Sequence, residues 1–520
     1  MSALAEGGAL RAWAIALALF VFSLPLFSPD LFWHLSAGRW IWAHAAVPRV
    51  DSFSFTLQGS PWIDFEWLAQ LLFYGAYSAA GLRGLWVLKV VLLVCAFVPV
   101  DGLLRDKGAD KTARACGLAL WCCAILAQAD LRVDLISAAL FAVIARRLES
   151  GRASFLFGFS LFGLWANVHA AFPVGLALYG AYFLGARFQR GLKRKDLGAE
   201  ACGALLGGLL NPAGIHIYSV IALHCIDPVG RFIGEWGPVN WRMGFHLPRI
   251  AALCVGAALA WTARRESPAM SLCAAVLGAA TAISSRFGLY FAVAAVGCLS
   301  AVSVRPKASW AAAGLVIASI LVGTATRGME WGAVFSDVYV ARRAVDFIVS
   351  QREVFAPLRL FNTYEWGGYL GWRLWPDGKV YGDGRYLFHH QLPELQQALS
   401  GPKPFQDFIA RNRLDAILIR AYPERLPTTR LYPDGSRREM MRPWYLSYLP
   451  RERWALVWWD DKAMVFVDRT KAPSPWLYAR EYRLWRPGDF EALSDALARG
   501  EIDSVSLEAE KQRQRAESGR

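Results

Sequence analysis

Charge is scarce in this chain: Asp, Glu, Lys and Arg make up 19% of its 520 residues, against about 25% in soluble domains. Cysteine runs out early, with nine in all and none after residue 300. No two of them have zinc-site spacing, and Cys122 and Cys123 are neighbours in an apolar run and not a C-x-x-C pair. The chain also lacks a G-x-G-x-x-G turn, a P-loop, a nucleophile elbow and any internal repeat. These absences exclude a zinc module and a disulfide scaffold, and they leave no familiar nucleotide-binding or serine-hydrolase signature.

Apolar surface is what the chain has in excess. Hydrophobic residues reach 55%, Trp occurs 23 times, and mean hydropathy is +0.29 although the last third is polar. The first two thirds are therefore far more apolar than a soluble domain. Indole rings settle at membrane–water interfaces, which accounts for the tryptophans. The net charge of +14 reads as basic cytoplasmic loops of a membrane protein, with no nucleic-acid partner expected.

A spanning helix needs about 20 apolar residues, since each rises about 1.5 Å through a core about 30 Å thick. Candidate runs are 10–28, 84–103, 113–129, 134–147, 153–169, 170–187, 197–212, 250–263, 268–284, 287–303 and 309–326. They predict a polytopic α-helical membrane protein with about eleven transmembrane helices. The first run flows into an aromatic, charged segment without a small-residue cleavage site, so retention is expected. With the N-terminus inside, seventeen loop Lys and Arg fall on the cytoplasmic side and eight on the other, which sets the orientation. Residues 66–81 and 36–46 read as helices at the interface, because Gly81-Leu82-Arg83-Gly84 is too short a loop between two crossings. Long outer loops then cover 29–83 and 211–249, and 327–520 forms an extracytoplasmic α/β domain expected to fold independently. There, β-like runs at 357–361, 379–382, 415–419, 454–459 and 463–467 alternate with helical patterns, and 501–520 reads as a charged, frayed tail.

Chemistry-bearing residues concentrate in the first outer loop. Asp30 and His34 stand one helical turn apart just past the first run, followed by Arg39, Asp51, Asp64 and Glu66. Asp30 directly follows the end of an outward-running helix, where the macrodipole disfavours an anion by roughly 0.3–1 kcal/mol. Plainer roles exist: Ser28 capping a helix with Asp30 in its first turn, and Asp64 capping the helix 65–80. At other outer helix ends lie Arg132 with Asp134, Asn167 with His169, Asn211, and Arg286; Lys89 sits inside the second run. Ionisable groups at that depth are costly, so they mark function by default. Snorkelling of Lys89 and interhelical hydrogen bonds from Asn167 and His169 are the structural alternatives.

The stretches DLFWHLSAGRWIW, VDSFSF, EWLAQLLFYGAY, LWANVHAAFPVG, NTYEWGGYLGWRLWP and VYGDGRY, within this architecture, resemble a group of bacterial proteins placed near the GT-C superfamily of integral-membrane glycosyltransferases. The resemblance implies a bacterial cytoplasmic-membrane enzyme that moves a sugar from a polyprenyl-phosphate-linked donor to a glycan, lipid or protein acceptor, usually with inversion. In that superfamily a carboxylate just after the first span acts as base or helps bind metal, and Asp30 matches that position. Many members carry an adjacent acidic pair; this chain has Asp30-x-x-x-His34 and Asp64-x-Glu66 instead. The resemblance thus implies Asp30, His34, Asp64 and Glu66 as candidates for proton transfer. Arg132, Arg231, Arg242 and Arg286 become candidate phosphate clamps, Lys89 a group near the lipid, and Arg39, Asp51, Asn167 and His169 further substrate contacts. The leaving phosphate also admits a divalent cation, Mg or Mn.

Two other classes fit parts of the pattern. A transporter or flippase for a lipid-linked or anionic substrate would use Lys89, Asn167 and His169, but it predicts inverted repeats and helices broken at the midplane. A membrane-anchored binding or assembly protein would present 327–520 to a partner.

Overall fold

The structure, a computed structural model, describes residues 3–185, 193–226, 233, 236–302, 333–432 and 434–518. Over these the chain is mostly helical, with a sheet region near its C-terminus. It divides into two units. The first takes in Met1–Ser28, Ala37–Arg49 and Ile63–Val338, and the second Pro29–Ser36, Val50–Trp62 and Tyr339–Arg520. The C-terminal unit is therefore not the contiguous 327–520 expected from the sequence, because it also recruits two pieces of the first outer loop.

The first unit is a helical assembly: α1 (Ala3–Ser23), part of α2 (Leu31–His44), α3 (Trp67–Asp106), α4 (Lys111–Ile125), α5 (Val133–Glu149), α6 (Phe155–Val168), α7 (Phe172–Gly185), α8 (Arg194–Gly207), α9 (Ile217–Ile226), α10 (Leu247–Ala263), α11 (Pro268–Ile283) and α12 (Gly288–Cys298). Local signals set their starts. Asp110 accepts the Ala113 N–H at 2.7 Å to cap α4, and Ser154 caps α6 by accepting from Phe157. Asp134 lies in the first turn of α5 and Arg146 and Arg147 in its last, each matched to the helix dipole. Helices α6 and α8 approach backbone to backbone. A Cβ at Gly203 or Gly207 would come within 2.2 Å of the Phe155 or Phe159 carbonyl, so only glycine fits there.

Ten of the eleven candidate apolar runs coincide with a helix; the run 309–326 lies outside the described residues. Several of those runs are themselves shorter than a full span, and the helices that form on them are short as well. Among the described residues, only Trp67–Asp106 is long and apolar enough to cross a membrane, and seven further apolar helices have 10–17 residues. At about 1.5 Å per residue those rise roughly 15–26 Å, short of a 30 Å core. Helix α3 contains both the expected interfacial segment and the second run. They are separated by a break at Ala80 and Gly81, where Gly81 takes φ +59° and needs its missing side chain.

In the second unit, strands β1 (Leu360–Asn362), β2 (Ala416–Arg420), β3 (Arg425–Leu431), β4 (Arg437–Pro443), β5 (Trp454–Trp459) and β6 (Ala463–Asp468) form two sheets. The larger runs β1-β2-β6-β5, with β1 parallel to β2 and the other pairs antiparallel. Its core joins Phe361, Ile417, Trp454, Leu456 and Phe466 to Phe405 and Phe408 from the helix Pro402–Asn412. The expected strand 379–382 is a single bridge. Val380 pairs with Ser54, and the Val380 N–H donates to Phe53 while the Phe55 N–H donates to Val380. Loop 50–62 thus enters this unit as an extended segment. The tail, expected to fray, is the helix Ser504–Ser518. Glu510 accepts three successive N–H groups, of Arg483, Leu484 and Trp485, and Glu517 accepts from Arg480 and the Tyr482 hydroxyl. Those bonds hold a segment that hydropathy alone would release.

Candidate functional site

The sequence-selected residues fall into two groups, one in each unit. In the second unit, Asp30 ends the turn before α2 and its carboxylate accepts from the Trp33 indole N–H at 3.3 Å. The same carboxylate packs on Gly384, where a Cβ would lie 2.2 Å from Asp30 Oδ1. His34 is buried and stacks on Trp33 with ring centroids 3.6 Å apart. Its backbone N–H returns to the Asp30 carbonyl, the ordinary helical i,i+4 bond.

Asp51 is in the same unit but 1% exposed, so its expected contact with substrate has no open surface. It binds Arg385 at 2.8 Å and accepts from the Ser54 hydroxyl at 2.6 Å. Asp383 takes the other side of the guanidinium at 2.8 Å. The guanidinium carbon of Arg385 lies 5.0 Å from the centroid of the Phe53 ring, 4.7 Å from that of Trp62 and 5.2 Å from that of Phe388. Burial works against its charge, but Asp383 and Asp51 outweigh that and hold the guanidinium above its ordinary pKa. Asp383 and Arg385 escaped the sequence reading. Their signal was the G-D-G-R run, in which glycines flank a carboxylate and a guanidinium.

In the first unit, His169 lies between two carboxylates. Its Nε2 is 3.8 Å from Glu66 and its Nδ1 is 3.7 Å from Asp134. Nδ1 also meets the Ser137 hydroxyl at 2.8 Å, which accepts from the Trp165 indole at 2.7 Å. Arg132 pairs with Asp134 at 3.6 Å. Arg286 stacks 4.2 Å over Trp236, and its charge reaches Asp134. Residues spread over more than two hundred positions thus gather around one imidazole. Ser137 and Trp165 carried no sequence signal beyond lying one turn from Asp134 and His169.

Other candidates are occupied by the protein itself. Asp64 Oδ1 accepts from the Glu66 N–H at 3.3 Å and from Gln70 at 2.7 Å, so it steadies the start of α3. The Asn167 amide receives the Trp67 indole at 2.8 Å and donates to Gly163 and Leu210. Burial lowers the Arg39 pKa, with Tyr74 and Tyr77 pulling the other way. Arg242 is exposed, stacked on its neighbour Trp241 at 5.4 Å; Arg231 lies outside the described residues.

Lys89 does not snorkel and does not face lipid. It is fully buried, donates to the Leu24 carbonyl, and feels the charge of Asp130. Asp130 in turn accepts the Phe27 N–H at 2.9 Å. Lysine and aspartate together fix residues 24–27, the stretch that leads out of α1 towards Asp30. Removing the lysine takes a donor from the Leu24 carbonyl and an opposing charge from buried Asp130, a loss of about 1–3 kcal/mol. Lys89→Met should therefore lower the unfolding midpoint sharply, and adding Asp130→Asn should recover much of the loss. A double variant no more stable than Lys89→Met would disprove the coupling.

Among the described residues, no group of three or more His, Cys, Asp or Glu is arranged to hold a metal ion. Glu66 and Asp134 approach opposite nitrogens of His169, so these three do not converge on a common point. Compared with known proteins, the chain matches no family model and no curated sequence.

Proposed function

We propose that this chain is a GT-C-like membrane glycosyltransferase, a polytopic helical protein of about eleven crossings whose second unit faces away from the cytoplasm. It moves a sugar from a polyprenyl-phosphate-linked donor to an acceptor hydroxyl at the outer face of a bacterial cytoplasmic membrane. The observation that carries this reading is the setting of Asp30. A carboxylate follows the first apolar helix within seven residues, is held by Trp33, and lies against the glycine loop 382–384. In the reaction, Asp30 takes the proton of the acceptor hydroxyl as that oxygen bonds to the anomeric carbon. The bond from that carbon to the phosphate oxygen breaks, and the polyprenyl phosphate leaves with the electron pair. The charge that develops on that phosphate calls for a guanidinium or another cation in a dry setting. A divalent cation, if one takes part, would neutralise the same charge.

The test is transfer itself. Protein in lipid nanodiscs is given labelled polyprenyl-phosphate sugars and a panel of glycan, lipid and peptide acceptors, and product is followed by chromatography. Labelled product that needs both donor and acceptor supports the reading. No product from any donor, with the protein still folded by its melting curve, would end it.

A further inference from the structure

At one point in the second unit, cations outnumber anions. Glu481 is buried, and its carboxylate is shared by three guanidinium groups. Arg469 bonds both of its oxygens, with Nη1 at 3.0 Å; Arg483 donates through Nε at 3.1 Å, and Arg486 Nη2 stands off at 3.7 Å. Arg513 donates to the Glu481 backbone carbonyl at 3.0 Å. Arg451 is tied into the same group. It donates to the Arg483 carbonyl at 2.7 Å, and its own carbonyl accepts from Arg469 at 2.8 Å. Other carboxylates of this region are engaged: Asp489 by Arg442, Glu517 by Arg480 and the Tyr482 hydroxyl, and Glu510 by three backbone N–H groups. Glu452, beside Arg451 in sequence, is exposed, so water and salt screen it.

Arg486 shows the imbalance most directly. It is 2% exposed, and its Nε and Nη2 have no hydrogen-bond acceptor among the described residues. Burial, and after it the charge of Arg451, push its pKa down to about 10. One carboxylate among three guanidinium groups leaves two positive charges without a counter-charge. Arg451 and Arg483 bring that excess to the surface, since both are exposed and half of the Arg483 side chain meets solvent. The matching ligand is an oxyanion with charge near −2 and several acceptor oxygens. A terminal phosphate carries about −1.5 to −2 at pH 7 and three strong acceptors, whereas a carboxylate brings one charge and two oxygens. We propose that this surface binds a terminal phosphate group, with Arg451 and Arg483 in contact and Arg469 and Arg486 adding their field from within the protein. Guanidinium forks suit phosphate oxygens in geometry as well as charge. The site does not depend on sugar transfer.

Inorganic phosphate is titrated calorimetrically into full-length protein in phosphatidylcholine nanodiscs at fixed ionic strength, with chloride as the blank. Saturable binding is expected. Arg451→Ala and Arg483→Ala should each weaken it by about ten-fold, the scale of one lost charge-assisted hydrogen bond. Arg483→Lys keeps the charge but not the fork, and it serves where Arg483→Ala fails to fold; binding should again fall. Arg437→Ala removes an exposed arginine at the start of β4 and should leave binding unchanged. Vesicles containing phosphatidic acid, whose head group ends in the same phosphate, distinguish the source. Capture by these and not by phosphatidylcholine vesicles assigns the site to a lipid head group, and binding of the free ion alone assigns it to a soluble phosphate. No saturable binding in either form, folded Arg451 and Arg483 variants that bind as the parent does, or an equal loss in Arg437→Ala would each overturn the proposal.

Discussion

Asp30→Asn is expected to remove sugar transfer almost entirely, by about 10²–10⁴-fold in initial rate, the usual worth of a positioned general base. The substitution is conservative in shape. An asparagine Oδ1 accepts from Trp33 as Asp30 does now at 3.3 Å, so the melting midpoint should stay near that of the parent. The melting midpoint, measured beside the rate, separates loss of the base from loss of folding. Glu66→Gln provides the contrast, because Glu66 lies in the other unit beside His169 at 3.8 Å. If Glu66→Gln abolishes transfer while Asp30→Asn retains it, the base belongs to the histidine cluster and the assignment to Asp30 is wrong.

Arg385→Met should be the most destabilising single change in the second unit, at about 3–5 kcal/mol. The guanidinium sits between Asp51 and Asp383 at 2.8 Å each, with aromatic rings on its faces. Removing it leaves two carboxylates buried and facing one another without a cation. Combining Arg385→Met with Asp51→Asn and Asp383→Asn should recover a large part of the loss, because the repulsion disappears with the charge. Denaturant unfolding of each variant, followed by tryptophan fluorescence, reads the difference. A loss below about 1 kcal/mol in Arg385→Met, within the range of an exposed pair, would contradict a buried clamp.

The helices were legible from hydropathy, and so was the polar α/β character of the last third, because both depend on local pattern. Their lengths were less so. An apolar run does not reveal where a glycine will end it, as at Gly207-Gly208, where α8 stops inside the run 197–212. The hairpin of β3 and β4 was invisible for a different reason. Its strands, RLPTTRL and RREMMRP, are basic and largely exposed, and they are held by Asp495 from the helix Phe490–Ala498 and by Asp489, the residue before it. No alternation of apolar residues marks such a pair.

Within the candidate site, residue type was readable and role was not. Lys89, Asp51 and Asn167 stood out because charged or amide groups are conspicuous in apolar surroundings. Each turned out to be bonded to partners 43 to 334 positions away, and a single sequence holds no measure of such distances. Asp383 and Arg385 went unmarked because their partner Asp51 lies in a loop more than three hundred residues earlier.

The recruitment of 50–62 into the second unit also sets an order of manufacture. Asp51 and Phe53 leave the ribosome long before Val380 and Arg385, which complete their surroundings. At about 5–20 residues per second, the roughly 330 residues between them take about 15–65 s to appear. For that interval a segment carrying Phe53, Phe55 and Trp62 has no finished place to go. A chain stalled or truncated before residue 380 would present it indefinitely, as a sticky and proteolytically open loop. The place this protein gives its first loop therefore ties completion of the second unit to the synthesis of residues 380–385.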